Sequence, residues 1–486
     1  MFVKRIAFPV VSGVLAIIAL FNLLPWLAAV ALIPLLYAIK KATLPETLKA
    51  TAIFAISFGF CFFSWIPASA GVFNGQMLSG ILVLLVFTLV LGIYFLLTFG
   101  LYKYLENKSA PVKNALLLGA IVVVLDYLKD SLFSTMPWFD FHFGNALAGS
   151  TYTIQLAELG GVYILSFFAV FFNVLLVAAF DRQFPVKWLV VVLAVFLGIN
   201  LGVYSYRSSK EGEGIKVNLL TENIDPRTKW EDNGNQIVNQ LLQLSDRAAT
   251  QPAALNVWTE TVVPWTYLPN DDFLNAILKP TLANGTLTIM GMSTQVDKGR
   301  VYDSAYLLHP DGKVLGRYDK NYPLAVIESE VKGKGAALNE NRGTSVAAGK
   351  QAFILPMPQA KIGVYICNEA SLPQLASSLT NSGADFFVNI SNDGWFANSF
   401  IPKQHFYYNR LRAVENRRDV VANSNLGYKG LIAANGDMEI HPPRMQSELT
   451  QVTVWKQSAQ TLYQLAPWAM LLLSILLIIQ LKYIRK

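Results

Sequence analysis

Charge is scarce in this chain and cysteine scarcer still. Only 15% of its 486 residues are Asp, Glu, Lys or Arg, against 53% hydrophobic ones. So little charge excludes an extended disordered chain and argues against a purely soluble protein. Two cysteines, Cys61 in an apolar block and Cys367 in the globular stretch, cannot build a disulfide framework, and their different surroundings make them poor partners for each other. The four histidines are scattered. No His/Cys spacing suits a metal, and neither a Walker-type loop nor a dinucleotide glycine motif is present. The expected chemistry therefore needs no cofactor and no metal.

What the chain does have is long apolar blocks. Spanning about 30 Å of hydrocarbon takes roughly 17 to 25 residues, and blocks of that kind lie near 6–22, 24–39, 50–66, 78–102, 112–131, 160–180, 187–206 and 464–481. About eight membrane spans are expected: some seven in a bundle over residues 1–207, then a globular domain over 208–462 and a last helix in 463–486. The first block follows Lys4 and Arg5 but leads into another apolar block, so it reads as an uncleaved helix, not a signal peptide.

Charge follows the same partition. Residues 208–462 hold 24 of the 39 Lys and Arg and 25 of the 32 Asp and Glu, a net of −1, which leaves +8 for the membrane part. The basic excess therefore reflects topology and headgroup contact, not nucleic acid. With the amino terminus in the cytoplasm, thirteen basic residues, from Lys4 and Arg5 to Lys486, fall on inside segments, and only Lys129 and Arg207 lie near outer ends. That bias, with an even number of spans, places both termini inside and the globular domain outside. Near the outer ends, Asp126, Lys129, Asp130, Asp140, His142 and Glu158 surround a Met136-Pro137-Trp138 turn. They read either as a solvated turn with an interfacial Trp or as a lipid headgroup site.

In the globular stretch, strand-like runs at 216–220, 254–258, 287–292, 302–318, 361–366, 385–390, 419–424 and 428–434 alternate with helical ones at 234–249, 271–283, 371–382 and 404–417. This predicts an α/β domain with a mixed sheet and helices layered on it. Three residues close strands, where such folds place their chemistry: Glu260, Lys320 and Cys367. A thiol with an ordinary pKa near 8.5 needs a base to take its proton and a cation to favour the thiolate. Glu260 is the candidate base. Lys320 is the candidate cation, able also to stabilise a tetrahedral oxyanion. Singly each residue is weak evidence, because a lone Cys on an apolar strand is more often a packed core thiol.

The surrounding segments are more specific. Trp258-Thr259-Glu260 with Pro264, Tyr318-Asp319-Lys320, and Ile366-Cys367-Asn368-Glu369 with Pro373 resemble, in order, the three catalytic segments of the nitrilase superfamily. Asn389 to Phe396, Gln404-His405 and the run Arg410 to Glu415 are similar to its closing segment. A domain of this kind set between seven preceding spans and one terminal span resembles the apolipoprotein N-acyltransferase family, as do Asn223-Ile224, Lys229-Trp230, Pro137-Trp138 with Gly144, and Glu158-Leu159-Gly160-Gly161. The resemblance implies an α-β-β-α sandwich, Glu260 as general base, Lys320 as charge-stabilising residue and Cys367 as nucleophile, with Glu328 and Glu369 as supporting carboxylates. It further implies transfer of an acyl chain from a phospholipid, through a thioester, to the amino group of a diacylglyceryl-modified lipoprotein, in a bacterial inner membrane with the domain in the periplasm. The chain departs from the family's usual pattern in Pro323 to Glu328 and in Asn368, where an aromatic commonly follows the nucleophile.

Two segments stay open. Residues 329–348 read as a plain surface loop or as a lid, and Arg410, Arg412, Arg417 and Arg418 as a solvated helical face pairing with Glu415 and Asp419, with an anionic-headgroup patch as the other reading. A membrane-tethered amidase using the same three residues with water as acceptor, and a catalytically silent binding scaffold, are the alternative functions.

Overall fold

The computed structural model describes residues 2–69, 77–107, 110–134, 136, 139–207, 213–325, 328–329, 345–350, 353–396 and 399–483. Long apolar runs become helices because every backbone group in hydrocarbon needs an internal partner. They are α1 (Phe2–Phe21), α2 (Pro25–Ala28), α3 (Ile33–Ile39), α4 (Leu44–Phe62), α5 (Met77–Leu105), α6 (Pro111–Leu132), α7 (Ala157–Phe180), α8 (Val186–Tyr206) and, beyond the globular domain, α13 (Ala469–Tyr483). Among the described residues, four helical segments, Leu44–Ser69, Met77–Leu105, Ala157–Phe180 and Val186–Tyr206, are long and apolar enough to cross a membrane. Arg5–Phe21, Pro25–Ile39 and Ala469–Lys482 are apolar but shorter, and α6 carries Lys113, Asp126, Lys129 and Asp130.

Two of these helical segments are broken, each for a local reason. Between α2 and α3 the backbone groups freed by the break are taken by Asn173 of α7, whose Oδ1 accepts from Leu32 N at 2.8 Å and whose Nδ2 donates to Ala28 O at 2.7 Å. In α7 the helix kinks at Gly160 and Gly161. Gly161 has φ +64, and a Cβ there would lie 2.7 Å from the Tyr463 ring, so no other residue fits without rearrangement.

Of the polar residues read either as a solvated turn or as a headgroup site, Asp126, Lys129, His142 and Glu158 are buried. Lys129 pairs with Asp130 at 3.0 Å and donates to the carbonyls of Phe139 and Phe141 at 2.9 and 2.6 Å. Asp130 also receives Tyr163 Oη at 2.8 Å and lies 2.9 Å from His142 Nε2, while Tyr94 donates to Asp126 at 2.8 Å. These groups partner one another, leaving Asp126 Oδ2 as a buried oxygen without a hydrogen bond among the described residues. Pro137 and Trp138 lie outside the described residues.

The globular part carries two sheets, not one. β1 (Ile215–Thr221), β2 (Leu255–Val257), β3 (Leu287–Asp297), β4 (Arg300–Leu308), β5 (Val314–Asp319), β6 (Ser345–Val346) and β13 (Glu448–Val454) form the first, in the order β13-β1-β2-β3-β4-β5 with β6 beside β4. The second has the order β12-β11-β10-β9-β8-β7, from β7 (Ile354–Pro356), β8 (Lys361–Ile366), β9 (Phe386–Asn392), β10 (Val420–Asn425), β11 (Lys429–Ile432) and β12 (Met438–His441). Alternation decides which side faces in. Ile362, Val364 and Ile366 of β8 and Phe386, Val388 and Ile390 of β9 meet Val217, Leu219, Val257 and Ile289 of the first sheet in one core.

Helices cover both outer faces. α9 (Trp230–Ala249) and α10 (Asp272–Leu278) pack on the first sheet through Leu241, Leu244, Leu274 and Ile277. α11 (Pro373–Asn381) and α12 (Ile401–Asn416) cover the second, and their apolar residues Leu375, Leu379, Leu411 and Val414 belong to the same core cluster as the membrane helices. The result is the α-β-β-α sandwich, seated on the bundle through α12.

That seat overturns the expectation of a solvated arginine face. Arg410, Arg412, Arg417 and Arg418 are all buried. Arg410 donates to the carbonyls of Ala148 and Gly436, both at 2.7 Å, Arg412 pairs with Glu415 at 2.8 Å, and Arg417 pairs with Glu158 of α7 at 2.7 Å. Arg418 donates to the carbonyls of Ala384 and Ala459 at 2.6 and 2.7 Å. A charged helix looks solvent-facing only until a second polar surface lies beneath it.

Candidate active site

The ends of β2, β5 and β8 meet between the two sheets. Past β2, the chain turns at Thr261 (φ +50), and β3 passes so close behind that a Cβ on Gly291 would lie 2.4 Å from Thr259 O. Glycine is required at that position. This brings Glu260, buried, under the second sheet, where its Oε2 accepts from Asn392 N at 2.8 Å. Lys320, which follows β5, is fully buried, and its backbone N donates to Asp303 O at 2.8 Å. Its Nζ lies 3.3 Å from Glu260 Oε1, 2.9 Å from Glu328 Oε1 and 3.8 Å from Asp303 Oδ2.

Cys367 stands directly after β8, at the start of a tight turn, with φ +54. A non-glycine residue in this region is strained by about 1 to 2 kcal/mol, and here the strain turns the residue out of the strand at its end. Glu369 holds that turn. Its carboxylate accepts from Ile366 N at 2.7 Å, Asn321 N at 2.7 Å, Tyr322 N at 3.0 Å and Tyr318 Oη at 2.8 Å. One carboxylate thus ties the Cys367 turn to the segment carrying Lys320. Glu328 closes its own segment as well, accepting from Leu324 N at 2.8 Å. All five residues expected from the sequence come together in one place. Most of the segment 329–348 lies outside the described residues.

The electrostatics are lopsided. Burial alone would lower the Lys320 ammonium, but Glu260, Glu328, Cys367 and Asp303 hold it well above its ordinary range. Burial opposes ionisation of Glu260, yet Lys320 and the hydrogen bonds from Asp303 and Asn392 outweigh it and keep the carboxyl below its usual value. The Cys367 thiol is pushed well up by burial and then by the Glu260 charge, with Lys320 pulling the other way. A protonated thiol beside an ionised carboxylate is arranged for proton transfer during attack, not before it.

Three participants were not picked out from the sequence. Asp303, in the interior of β4, is held well above its usual value by burial and by the charge of Glu260, with which it shares a hydrogen bond. Asp393 and His405 lie within stretches noted for resemblance, without a role. Asp393 accepts from Ser424 Oγ at 2.8 Å and lies 2.7 Å from His405 Nδ1, which fixes the loop that presents Asn392 N to Glu260. Among the described residues, Glu260, Asp303 and Glu328 form the grouping whose oxygens lie close enough to hold a metal, within 4.8 Å of one another, and the Lys320 ammonium sits among them.

Comparison with known proteins agrees in both halves. Residues 12–175 match the family model for the apolipoprotein N-acyltransferase N-terminal domain, and residues 224–459 match that for carbon-nitrogen hydrolases. An apolipoprotein N-acyltransferase of Geobacter metallireducens is 28% identical over 383 residues, covering 74% of this chain and 72% of that one. One from Haemophilus influenzae is 25% identical over 98% of this chain and 95% of its own. A solved nitrilase-superfamily protein of Saccharomyces cerevisiae overlays with a TM-score of 0.40 at 15% identity, covering 54% of this chain and 97% of that one. With one family model matched over residues 12–175, another over 224–459, and curated relatives aligned over as much as 98% of its length, the chain belongs to the apolipoprotein N-acyltransferase family, the membrane-embedded branch of the nitrilase superfamily.

Proposed function

We propose that the protein carries an acyl chain from a phospholipid, through a thioester on Cys367, to the α-amino group of a diacylglyceryl-cysteine at the start of a lipoprotein. The observation that carries this reading is the meeting of Glu260, Lys320 and Cys367 at adjoining strand ends in a domain seated on a membrane bundle. Both substrates are lipid-anchored, so a site held at the bilayer meets them at high local concentration.

In the first half-reaction Glu260 takes the Cys367 proton as Sγ attacks the ester carbonyl carbon, and the Lys320 ammonium stabilises the tetrahedral oxyanion. Collapse breaks the ester C–O bond, and Glu260 returns the proton to the lysophospholipid oxygen. In the second, the acceptor amine attacks the thioester carbon. Glu260 takes a proton from nitrogen and passes it to the departing Cys367 sulfur as the C–S bond breaks. Glu328 and Glu369 support this chemistry by fixing Lys320 and the Cys367 turn. The working boundaries are 1–207 for the bundle, 208–462 for the catalytic domain and 463–486 for the last helix, with eight spans, cytoplasmic termini and the catalytic domain periplasmic in the inner membrane. The supporting observation is the basic asymmetry of thirteen against two.

The test is mass spectrometry of the full chain after incubation with phospholipid alone. Acyl-Cys367 accumulates in the wild type and not in Cys367→Ala, and adding a diacylglyceryl-cysteine peptide discharges it to the amide. Lysophospholipid that forms only when acceptor is present would replace the two-step scheme by direct transfer. For the topology, a phosphatase fused near residue 340 is active and one at the carboxyl terminus is not; the reverse pattern overturns it.

A further inference from the structure

Opposite the bundle, the sandwich has a second shaped surface that acyl transfer leaves unused. α9 lies on the outer face of the first sheet, while α12 and the membrane helices lie on the far side of the second. Along its exposed side α9 presents Gln236, Asn239, Gln243 and Arg247, three or four residues apart and therefore on one face. Across from them run the loop after β1 and the residues leading into β13, and the two walls border an open cleft of about 980 Å³. Half of the residues lining the cleft are carboxamides, and among the described residues Asp225 and Arg247 are its charged ones. The side chains of Gln236, Asn239 and Gln243 make no hydrogen bond among the described residues.

One wall of the cleft is tied by hydrogen bonds to the segment that holds Glu260. Ile224 N donates to Asn425 Oδ1 at 2.8 Å, Asn425 Nδ2 donates to Asn392 Oδ1 at 2.9 Å, and Asn392 N donates to Glu260 at 2.8 Å. In the same place Pro226 packs against Gly394. The cleft therefore lies a chain of three hydrogen bonds from Glu260, on the side of the sandwich opposite α12 and the bundle.

We propose that this cleft receives, in extended form, the polypeptide that follows the lipid-modified amino terminus of the acceptor, and that it reads main chain and not sequence. This rests on the acyl-transfer reading above. An acceptor whose first residue is held at Cys367 by a lipid anchor has to leave on the side away from the bilayer, and the cleft lies on that side. A carboxamide carries both a donor and acceptors, as a peptide unit does, so a row of them pairs with any extended chain whatever its side chains. The row from Gln236 to Arg247 spans roughly 17 Å at 1.5 Å per helical residue, the length of about five extended residues.

The experiment compares two acceptors at saturating phospholipid: a diacylglyceryl-cysteine dipeptide, and the same lipid on an uncharged peptide of about twelve residues. The wild type is expected to favour the longer acceptor by about ten-fold in kcat/KM, through KM, which corresponds to two or so hydrogen bonds of ordinary net strength. Shuffling the longer peptide leaves that preference in place. The variant carrying Gln236→Ala, Asn239→Ala and Gln243→Ala loses the preference while its rate with the dipeptide and its yield of acyl-Cys367 stay at wild-type level, which shows it folded. The proposal is overturned if the wild type shows no preference for length, if shuffling abolishes the preference, or if the triple variant keeps it. If acyl-Cys367 forms and neither acceptor is acylated, the acyl-transfer reading fails first and the cleft's role falls with it.

Discussion

Lys320→Met takes one ammonium out of a pocket whose carboxyl oxygens lie 2.9, 3.3 and 3.8 Å from it. Methionine fills much the same volume, so the perturbation is one of charge. At 3.3 Å and an effective dielectric near 20, a unit ion pair is worth about 5 kcal/mol gross. Removing one partner of a buried pair costs about 3 to 5 kcal/mol net, because the other charge is left uncompensated. The pocket relieves that cost by taking up protons, and Glu260 is then neutral at pH 7 and no longer a base. General-base loss is worth roughly 10² to 10⁴ in rate and loss of an oxyanion donor about 10² to 10³, without full additivity. Acylation of Cys367 by phospholipid, followed by intact mass, should therefore slow by at least about 10³-fold.

The pH dependence carries the sharper signature. Wild-type Glu260 is held below its usual value and is already ionised at neutral pH, so its acylation rate is flat from about pH 6 upward as far as this group is concerned. In Lys320→Met the rate climbs with pH as Glu260 regains its charge. A variant that acylates within about ten-fold of wild type at pH 7, or whose defect does not ease as pH rises, refutes the charge argument.

Three further outcomes follow from the packing. Asp303→Asn, which keeps a hydrogen-bond donor beside Glu260, should acylate within about ten-fold of wild type, whereas Asp303→Leu should fall about 10²-fold; equal damage by both would mean that Asp303 acts as an anion and not as a proton-bearing donor. Burial pushes the Glu222 carboxyl from 4.5 up to about 7, so the folded state binds the proton more tightly and stability is lost as pH rises from about 4.5 through about 7. At about 1.4 kcal/mol per pH unit this is roughly 3 kcal/mol. Thermal unfolding in detergent should show Glu222→Gln with a flatter pH dependence over that window, and an unchanged slope would exclude Glu222 as its source. Arg417→Ala removes the ion pair to Glu158 and should lower stability by about 3 to 5 kcal/mol, with the sandwich and the bundle melting apart; a single unshifted transition would show the clamp to be dispensable.

The parts legible in the sequence were those governed by local pattern. Ile362-Gly363-Val364-Tyr365-Ile366 alternates as a strand must, and Cys367 follows it, so the position of the thiol could be read directly. Glu260 and Lys320 were legible for the same reason, as were Glu328 and Glu369 through resemblance. A split into two sheets was not readable from the strands alone, because Ile362 and Val217 meet only after both sheets have formed. Asp303 looked like any polar residue on a strand until Lys320, 17 residues away, folded back on it. The arginines of α12 failed most plainly. Charge on a helix is read against water, and the sequence gives no sign that Ala148, Gln155 and Glu158 will lie where the water would be.

A soluble catalyst tethered to a bilayer rides on it as a float rides on water. This one stands on it as a pier does, because α12 is both a layer of the catalytic sandwich and the member pinned into the bundle, by Gln404 to the Leu20 carbonyl and by Arg410 and Arg417 to the segments flanking α7 and to α7 itself. The position of Cys367 relative to the bundle is therefore set by the fold. A phospholipid donor, under the proposed function, has to be lifted to that position, and a bilayer a few ångströms thicker or thinner changes the lift. Under the proposed function, bilayer thickness is therefore expected to alter the rate at which Cys367 is acylated.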